Sequence, residues 1–210
     1  MNKYRVLIVD DENMHRQLFS MIIKASEQFE LAGELSKASM AVNFCKSNNV
    51  DLVLMDVVMK DGINGLQAAE EIKAYNPDIK ILVVTSMPEV TFLRRAKEIG
   101  VDSFWYKEVE DKPLLDVMVK TMEGEHIYPD NVPTVELGLA KNTDITEREW
   151  DVLRELVYGL SNQEIAERLD MSVNTVKFHL SSLMSKTGCV SRTELAIRAA
   201  QSGLIVNSDN

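Results

Sequence analysis

"LVLMDVVMKDGING", residues 52–65, decides how the chain folds. Leu52-Val53-Leu54-Met55 is too short for a helix and apolar throughout, the pattern of a strand buried on both faces. A carboxylate, Asp56, comes directly after it, and Lys60-Asp61-Gly62-Ile63-Asn64-Gly65 then reads as a polar loop. The same unit recurs. The runs Tyr4–Val9, Leu31–Leu35, Ile79–Val84 and Val101–Tyr106 are aliphatic or β-branched, and each precedes a stretch of 3.6-residue periodicity. After the opening stretch that periodicity is carried by Leu66, Ala69 and Ile72, ahead of Tyr75-Asn76-Pro77. Five strand–helix units in series over residues 1–122 predict an α/β domain with a doubly wound, five-stranded parallel sheet.

Composition bounds the rest. The 210 residues suffice for two small domains, and 45% hydrophobic with 27% charged residues is an ordinary globular balance. No apolar stretch approaches the roughly 20 residues that span a bilayer. The opening MNKYRVLIVDDEN meets acid too soon for a signal peptide, so a cytoplasmic protein without a membrane partner is expected. Cys45 and Cys189 lie far apart, and His15, His126 and His179 form no metal-ligand spacing. The net charge of −10 argues against nucleic-acid binding by the whole chain. Residues 171–200 run the other way: Lys177, Lys186, Arg192 and Arg198 face Glu194 alone. A nucleic-acid surface belongs there.

Residues 123–143 break the periodicity with Pro129 and Pro133 and read as an interdomain linker with no clear element. From 144 to 210 the chain reads as wholly helical. Thr146-Glu147-Arg148-Glu149 and Ser161-Asn162-Gln163-Glu164 are capping boxes that open helices ending near Gly159 and Leu169. Ser172 caps a third helix, stopped by Gly188, and a fourth runs from about Ser191 to Gly203. Helices 161–169 and 172–187, joined by Asp170-Met171, form a helix-turn-helix unit. On the second of them Val173, Val176, Leu180 and Leu183 must face the core, which turns Asn174, Lys177, Phe178 and Ser181 outward. Lysine suits guanine, asparagine suits adenine, and phenylalanine can pack on a thymine methyl. Thr175, His179, Lys186 and Arg192 flank that face, where phosphates are expected.

In a doubly wound sheet, ligands bind beyond the carboxyl ends of the strands. Those ends deliver Asp10 and Asp11, Asp56, Thr85 and Ser86, and Lys107. Three carboxylates cannot all stay ionised cheaply: at ~5 Å and an effective dielectric of ~20 each pair costs roughly 3 kcal/mol. They share protons or bind a cation. A hard divalent ion with oxygen ligands, Mg2+, meets that need, and such a site beside a lysine suits phosphoryl transfer. A carboxylate can itself accept the phosphoryl group.

"LIVDDE", "LVLMD", "LVVTS" and "FWYKE", in that order, resemble the receiver domain of two-component response regulators, a flavodoxin-like fold. The resemblance implies that Asp56 accepts a phosphoryl group from a sensor histidine kinase. It implies that Asp11, Asp56 and the Val58 carbonyl hold Mg2+, with Asp10 in support through water. Thr85 and Lys107 would bind the phosphoryl oxygens, and Phe104 would be the aromatic that turns inward when the threonine is drawn to the phosphate. The chain departs from the pattern D-x-x-M-P-x-x-D-G at Lys60, where proline is usual, and Asn64-Gly65 falls one residue late. Val58 and Met87, two after the acceptor and two after the threonine, cannot orient an attacking water. By the same resemblance, self-dephosphorylation takes hours rather than seconds.

"ITEREWDVL" and "LSNQEIAERLDMSVNTVKFHLSSLMSKTG" resemble the LuxR/FixJ/NarL-type DNA-binding domain. Lys177, Phe178 and Ser181 then occupy base-reading positions, and the last helix, through Leu195 and Ala199, supplies a dimer contact. Ser181 stands where a basic residue is common, so the salt slope per subunit should be shallow and affinity should need a dimer on paired half-sites. The implied function is a phosphorylation-controlled transcription regulator, not an enzyme. It would form a homodimer on promoter DNA, with RNA polymerase as a further partner. Two alternatives stand beside it. One is a receiver-like regulator controlled by protein contact without phosphorylation. The other is an Asp-nucleophile phosphohydrolase, although those enzymes use D-x-D where this chain has Asp56-Val57-Val58.

Overall fold

A computed structural model describes residues 3–59, 64–107, 113–130, 132–202 and 204–205. Lys60 to Ile63, the part of the opening stretch that departs from the receiver pattern, lies outside them, as does Gly203. The chain divides into two compact units, one of Met1–Ser86 with Phe92–Asn131 and the other of Met87–Thr91 with Val132–Asn210.

The first unit alternates strand and helix: β1 (Tyr4–Val9), α1 (Asn13–Ala25), β2 (Phe29–Leu35), α2 (Ala41–Ser47), β3 (Leu52–Met55), α3 (Gly65–Tyr75), β4 (Lys80–Thr85), α4 (Val90–Ile99), β5 (Ser103–Tyr106) and α5 (Leu114–Met122). All four strand pairings are parallel, in the order β2-β1-β3-β4-β5. Side chains alternate across such a sheet. Val6, Ile8, Leu52, Leu54, Leu82 and Val84 share one face with Phe19 and Ile23 of α1 and Leu114, Val117 and Met118 of α5. The intervening Leu7, Val9, Val53, Met55, Ile81 and Val83 are equally buried. Apolar surface on both faces is why these runs show no polar alternation.

Strand order reverses between β1 and β3, so their carboxyl ends open onto a crevice. The register Val9↔Met55 aligns those ends, and Asp56 N–H donates to the Val9 carbonyl at 2.9 Å. On the far edge of the sheet, residues 126–128 of the expected featureless linker lie against β5. Phe104 N–H donates to the Ile127 carbonyl at 2.8 Å, and the Tyr128 hydroxyl donates to the Val101 carbonyl at 2.5 Å. An unpaired edge strand exposes a row of backbone donors and acceptors, and these residues cover it.

In the second unit a two-residue antiparallel pair, β6 (Glu136–Leu137) and β7 (Ala140–Lys141), precedes α6 (Glu147–Val157), α7 (Asn162–Arg168), α8 (Val173–Thr187) and α9 (Arg192–Gln201). Thr146, Ser161, Ser172 and Ser191 each accept a backbone N–H from the first turn of these helices. Trp150, Leu153, Ile165, Val176, Leu183 and Leu195 are fully buried between them. Asp170 takes a positive φ of 50° in the α7–α8 turn, a conformation aspartate tolerates better than most residues. Gly138, with φ 64°, lies against the Thr187 carbonyl, where a Cβ would sit 2.1 Å from the oxygen.

Candidate functional site

Four strands end on one rim. Asp10 comes after β1, Asp56 after β3, Thr85 ends β4 and Lys107 comes after β5. Lys107 N–H donates to the Thr85 carbonyl at 3.0 Å, and Asp10 N–H to the Leu35 carbonyl at 3.0 Å, so the sheet ladder itself places the side chains. The Lys107 ammonium lies 2.7 Å from Asp10 Oδ2, 3.0 Å from Asp56 Oδ2 and 3.1 Å from His15 Nδ1. Asp56 Oδ1 accepts the Val57 N–H at 2.7 Å, and Asp10 Oδ1 accepts the Glu12 N–H at 2.9 Å. Thr85 is fully buried. So is Phe104, edge-on to Tyr106 with centroids 5.1 Å apart.

Asp10, Asp11 and Asp56 bring carboxylate oxygens within 4.8 Å of one another. Among the described residues one ammonium stands with three carboxylates, so negative charge is in surplus there. Burial pushes the Asp56 carboxyl up to about 7, opposed by Lys107 and assisted by Asp10. Burial works against the Lys107 ammonium, yet Asp56 and Asp10 hold its pKa above the ordinary lysine value. An all-oxygen set, buried at Asp10 and Asp56 and half-buried at Asp11, is the donor chemistry of a hard divalent cation. The donor set fits Mg2+.

The opening stretch turns back at Gly65. Its N–H donates to the Val57 carbonyl at 2.8 Å, and a Cβ on it would stand 1.8 Å from the Asp56 carbonyl oxygen. Asn64 caps α3 in a reciprocal box with Gln67. Val58 is half-buried beside this turn.

On α8, Asn174, Thr175, Lys177, Phe178 and Ser181 are exposed, Phe178 at 68%. His179 is half-buried and edge-on to Phe178, centroids 5.6 Å apart. Val176, Leu180 and Leu183 are buried, while Val173, expected with them, is half-buried. Lys186 and Arg192 are half-buried and engaged within their own unit. Lys186 Nζ donates to Glu149 Oε2 at 2.7 Å and to the Asp144 carbonyl at 2.8 Å. Arg192 donates to Asn162 Oδ1 at 3.0 Å and to the Leu160 carbonyl at 2.7 Å. Both cations tie helices of their own unit together.

Glu149 is the centre of that framework, 3% exposed, with Ser182 Oγ 2.7 Å from its Oε1. Burial alone would raise its pKa, but hydrogen bonds from Lys186, Ser182 and Thr146 bring it down to about 2. A depressed pKa means stabilisation that is full above the unfolded value near 4.5 and lost as pH falls through about 2. Glu149→Gln is expected to cost about 2–3 kcal/mol at pH ~7, with the deficit shrinking below pH ~4.5. Urea unfolding of both proteins at pH ~7 and pH ~3.5 measures it, and a pH-independent difference would contradict the assignment.

Two residues of the site are not evident from the sequence alone. His15 reaches Lys107 because it lies one helical turn after Asp11, and that spacing is the available signal. Gly65 reads only as loop, since nothing local announces a close approach to another backbone.

The comparisons with known proteins agree with this geometry. Residues 6–119 match the response regulator receiver domain, and residues 143–199 match the LuxR family of bacterial regulatory proteins. The response regulator protein VraR of Staphylococcus epidermidis strain RP62A is 35% identical over 206 residues, covering 96% of this chain and 98% of the relative. The chain is a response regulator of the LuxR-type DNA-binding family. VraR of Staphylococcus aureus strain N315 is 34% identical over the same span. Among solved structures, the response regulator ChrA of a heme-sensing two-component system superposes with a TM-score of 0.52 at 26% identity, over 98% of this chain and all of that one. Salmonella typhimurium RcsB gives a TM-score of 0.66 at 18% identity, covering 96% of this chain and 99% of that one, a likeness of fold. A further RcsB structure is a complex with DNA, with a TM-score of 0.57 at 19% identity, covering 95% of this chain and 98% of that one. The matched relatives are response regulators that pair a receiver with a LuxR-type DNA-binding domain, transcription regulators rather than enzymes, and the hydrolase alternative has no support among them. Among the described residues no helix is long and apolar enough to cross a membrane.

Proposed function

We propose that the chain is a phosphorylation-controlled transcription regulator in which Asp56 accepts a phosphoryl group from a sensor histidine kinase in the cytoplasm. The observation that carries the reading is the Lys107 ammonium held between Asp10 and Asp56 at the carboxyl rim of the sheet. Domain limits of 1–122 and 144–210, with 123–143 between, go with it. Asp10, Asp11, Asp56 and the Val58 carbonyl would hold Mg2+. When bound, the ion neutralises charge on the transferring group.

In the transfer a carboxylate oxygen of Asp56 forms a bond to phosphorus as the bond from phosphorus to the donor's leaving atom breaks. Lys107 binds a phosphoryl oxygen by leaving the Asp56 oxygen it now holds, and the Thr85 hydroxyl binds another. Phe104 then repacks into the space the threonine gives up, a two-state change driven by one charge event. The helical domain is released to dimerise on promoter DNA. Asn174, Lys177, Phe178 and Ser181 read bases, with Thr175 and His179 toward phosphates. Lys186 and Arg192 flank that face, also toward phosphates, and RNA polymerase is the partner downstream. The relatives support the division of labour: RcsB, of the same fold, has been solved on DNA.

Neither Val58 nor Met87 carries a group that could direct water at the phosphoryl group on Asp56, so the label should persist for hours. Loss of label within a minute, without a phosphatase, would contradict this. The functional test uses full-length wild type and Asp56→Asn with Mg2+ and acetyl phosphate. Dimer fraction and retention of DNA selected from a random library should rise in wild type alone. Equal retention by both, with and without the donor, would favour control by protein contact.

A further inference from the structure

The Lys107 ammonium has three N–H donors and no acceptor capacity. Two reach Asp10 and Asp56, and the third lies 3.1 Å from His15 Nδ1. His15 sits in the first turn of α1, and its ring stacks on buried Phe19 with centroids 6.2 Å apart and planes 21° from parallel. The ring is thus fixed from one side and faces the pocket on the other. Glu12 Oε2 stands 3.3 Å and Asp10 Oδ2 3.6 Å from the same Nδ1, the latter already bonded to Lys107. Glu12 is 46% exposed and has water as an alternative, whereas the Lys107 side chain is 5% exposed and would be left with a buried, unanswered donor. The buried donor is the one that needs an answer, and Nδ1 lies where it can accept.

We propose that His15 is a positioning residue for phosphoryl acceptance, anchoring the Lys107 ammonium from the α1 side while the group arrives at Asp56. The inference rests on Asp56 being the acceptor. During transfer from acetyl phosphate, an Asp56 oxygen bonds to phosphorus, the bond from phosphorus to the acetyl oxygen breaks, and acetate leaves with that electron pair; no proton moves. The charge that held Lys107 on Asp56 passes to the phosphoryl oxygens, and Asp10 belongs to the cation site. His15 takes part in neither change. It is the partner that keeps a four-carbon side chain aimed at the same point throughout, so that the donor is in place where charge develops.

The test monitors labelling of the full chain by acetyl phosphate and Mg2+ in wild type, His15→Leu, His15→Asn, Lys107→Met and the double variant His15→Leu/Lys107→Met. Asparagine keeps an acceptor near the Nδ1 position; leucine keeps volume only. His15→Leu should slow the limiting labelling rate roughly tenfold, the worth of one hydrogen bond from a charged donor, at an unchanged half-saturating donor concentration. His15→Asn should recover most of that rate, and in the Met background the leucine substitution should add nothing. Wild-type labelling by His15→Leu, failure of asparagine to rescue, or an equal slowing in both lysine backgrounds would overturn the inference. If Lys107→Met labels too slowly to time, the asparagine rescue decides alone. Absence of label on wild type would instead remove the acceptor reading of Asp56 beneath it.

Discussion

Gly65→Ala is expected to lower the rate of phosphoryl acceptance by about a hundredfold or more and to cost about 3 kcal/mol of stability. The cause is space, not backbone dihedral. An added Cβ would stand 1.8 Å from the Asp56 carbonyl oxygen, 2.9 Å from its carbonyl carbon and 3.1 Å from Met55 Cγ. A flexible side chain could yield; a backbone oxygen directly after a buried strand cannot, and Asp56 is held there by its N–H bond to the Val9 carbonyl. Either the start of α3 lifts, exposing Leu66 and Ala69, or the Asp56 peptide rotates and swings its carboxylate away from Lys107. A misplacement of about 1 Å suffices for the kinetic loss. Gln67→Ala, which removes one half of the cap box without a clash, is the control and should label at nearly the wild-type rate. Intact mass after acetyl phosphate treatment, beside urea unfolding, measures both effects. Wild-type behaviour of Gly65→Ala on both would show that the close approach does not exist.

The second large effect concerns Asp56 as a buried charge. Its pKa is about 7 in the folded chain against an ordinary 3.8. A raised carboxyl pKa means that the folded state holds a proton which the unfolded state has lost between those two values. Stability therefore falls as pH rises from about 4 to 7 and stays low above it. The span corresponds to about 4 kcal/mol at most. In chelator, Asp56→Asn should be the more stable protein by up to that amount at pH ~8, and the gap should close toward pH ~5. Mg2+ at pH ~8 should stabilise wild type and leave Asp56→Asn nearly unmoved, since a ligand that binds only the folded site adds to its stability. Paired urea titrations at the two pH values, with and without Mg2+, give all four differences. A gap that does not depend on pH would show that Asp56 is ionised throughout without penalty.

Much of the architecture is legible in the sequence because parallel strands buried on both faces leave nothing polar in their runs. Leu52–Met55 could hardly be anything else, and once five such runs alternate with helical periodicity the carboxyl ends form one rim. Asp10, Asp56, Thr85 and Lys107 stand at or just past the ends of those runs, and that position alone assigns them to the rim. The capping boxes at Thr146 and Ser161 mark helix starts for a similarly local reason. The remaining features depend on relations between elements. The phase of α1 against β5 brings His15 to Lys107, and the packing of α6 on α8 brings Lys186 to Glu149. Residues 126–128 cover β5 through scattered bonds from backbone and side chains, which follow no period. The pair β6–β7 is too short for any period to show. At Gly65 the deciding contact is an absent methyl group, which periodicity cannot register.

In the proposed function Asp56 receives the phosphoryl group with help from the acidic pocket. Intact-mass measurement of the full chain after acetyl phosphate and Mg2+ tests it most directly. Wild type should gain the mass of one phosphoryl group, mapped to Asp56 after peptide digestion. Asp56→Asn and chelator-treated wild type should gain none. An unmodified wild type, or a label on Asp56→Asn equal to that on wild type, would contradict the account.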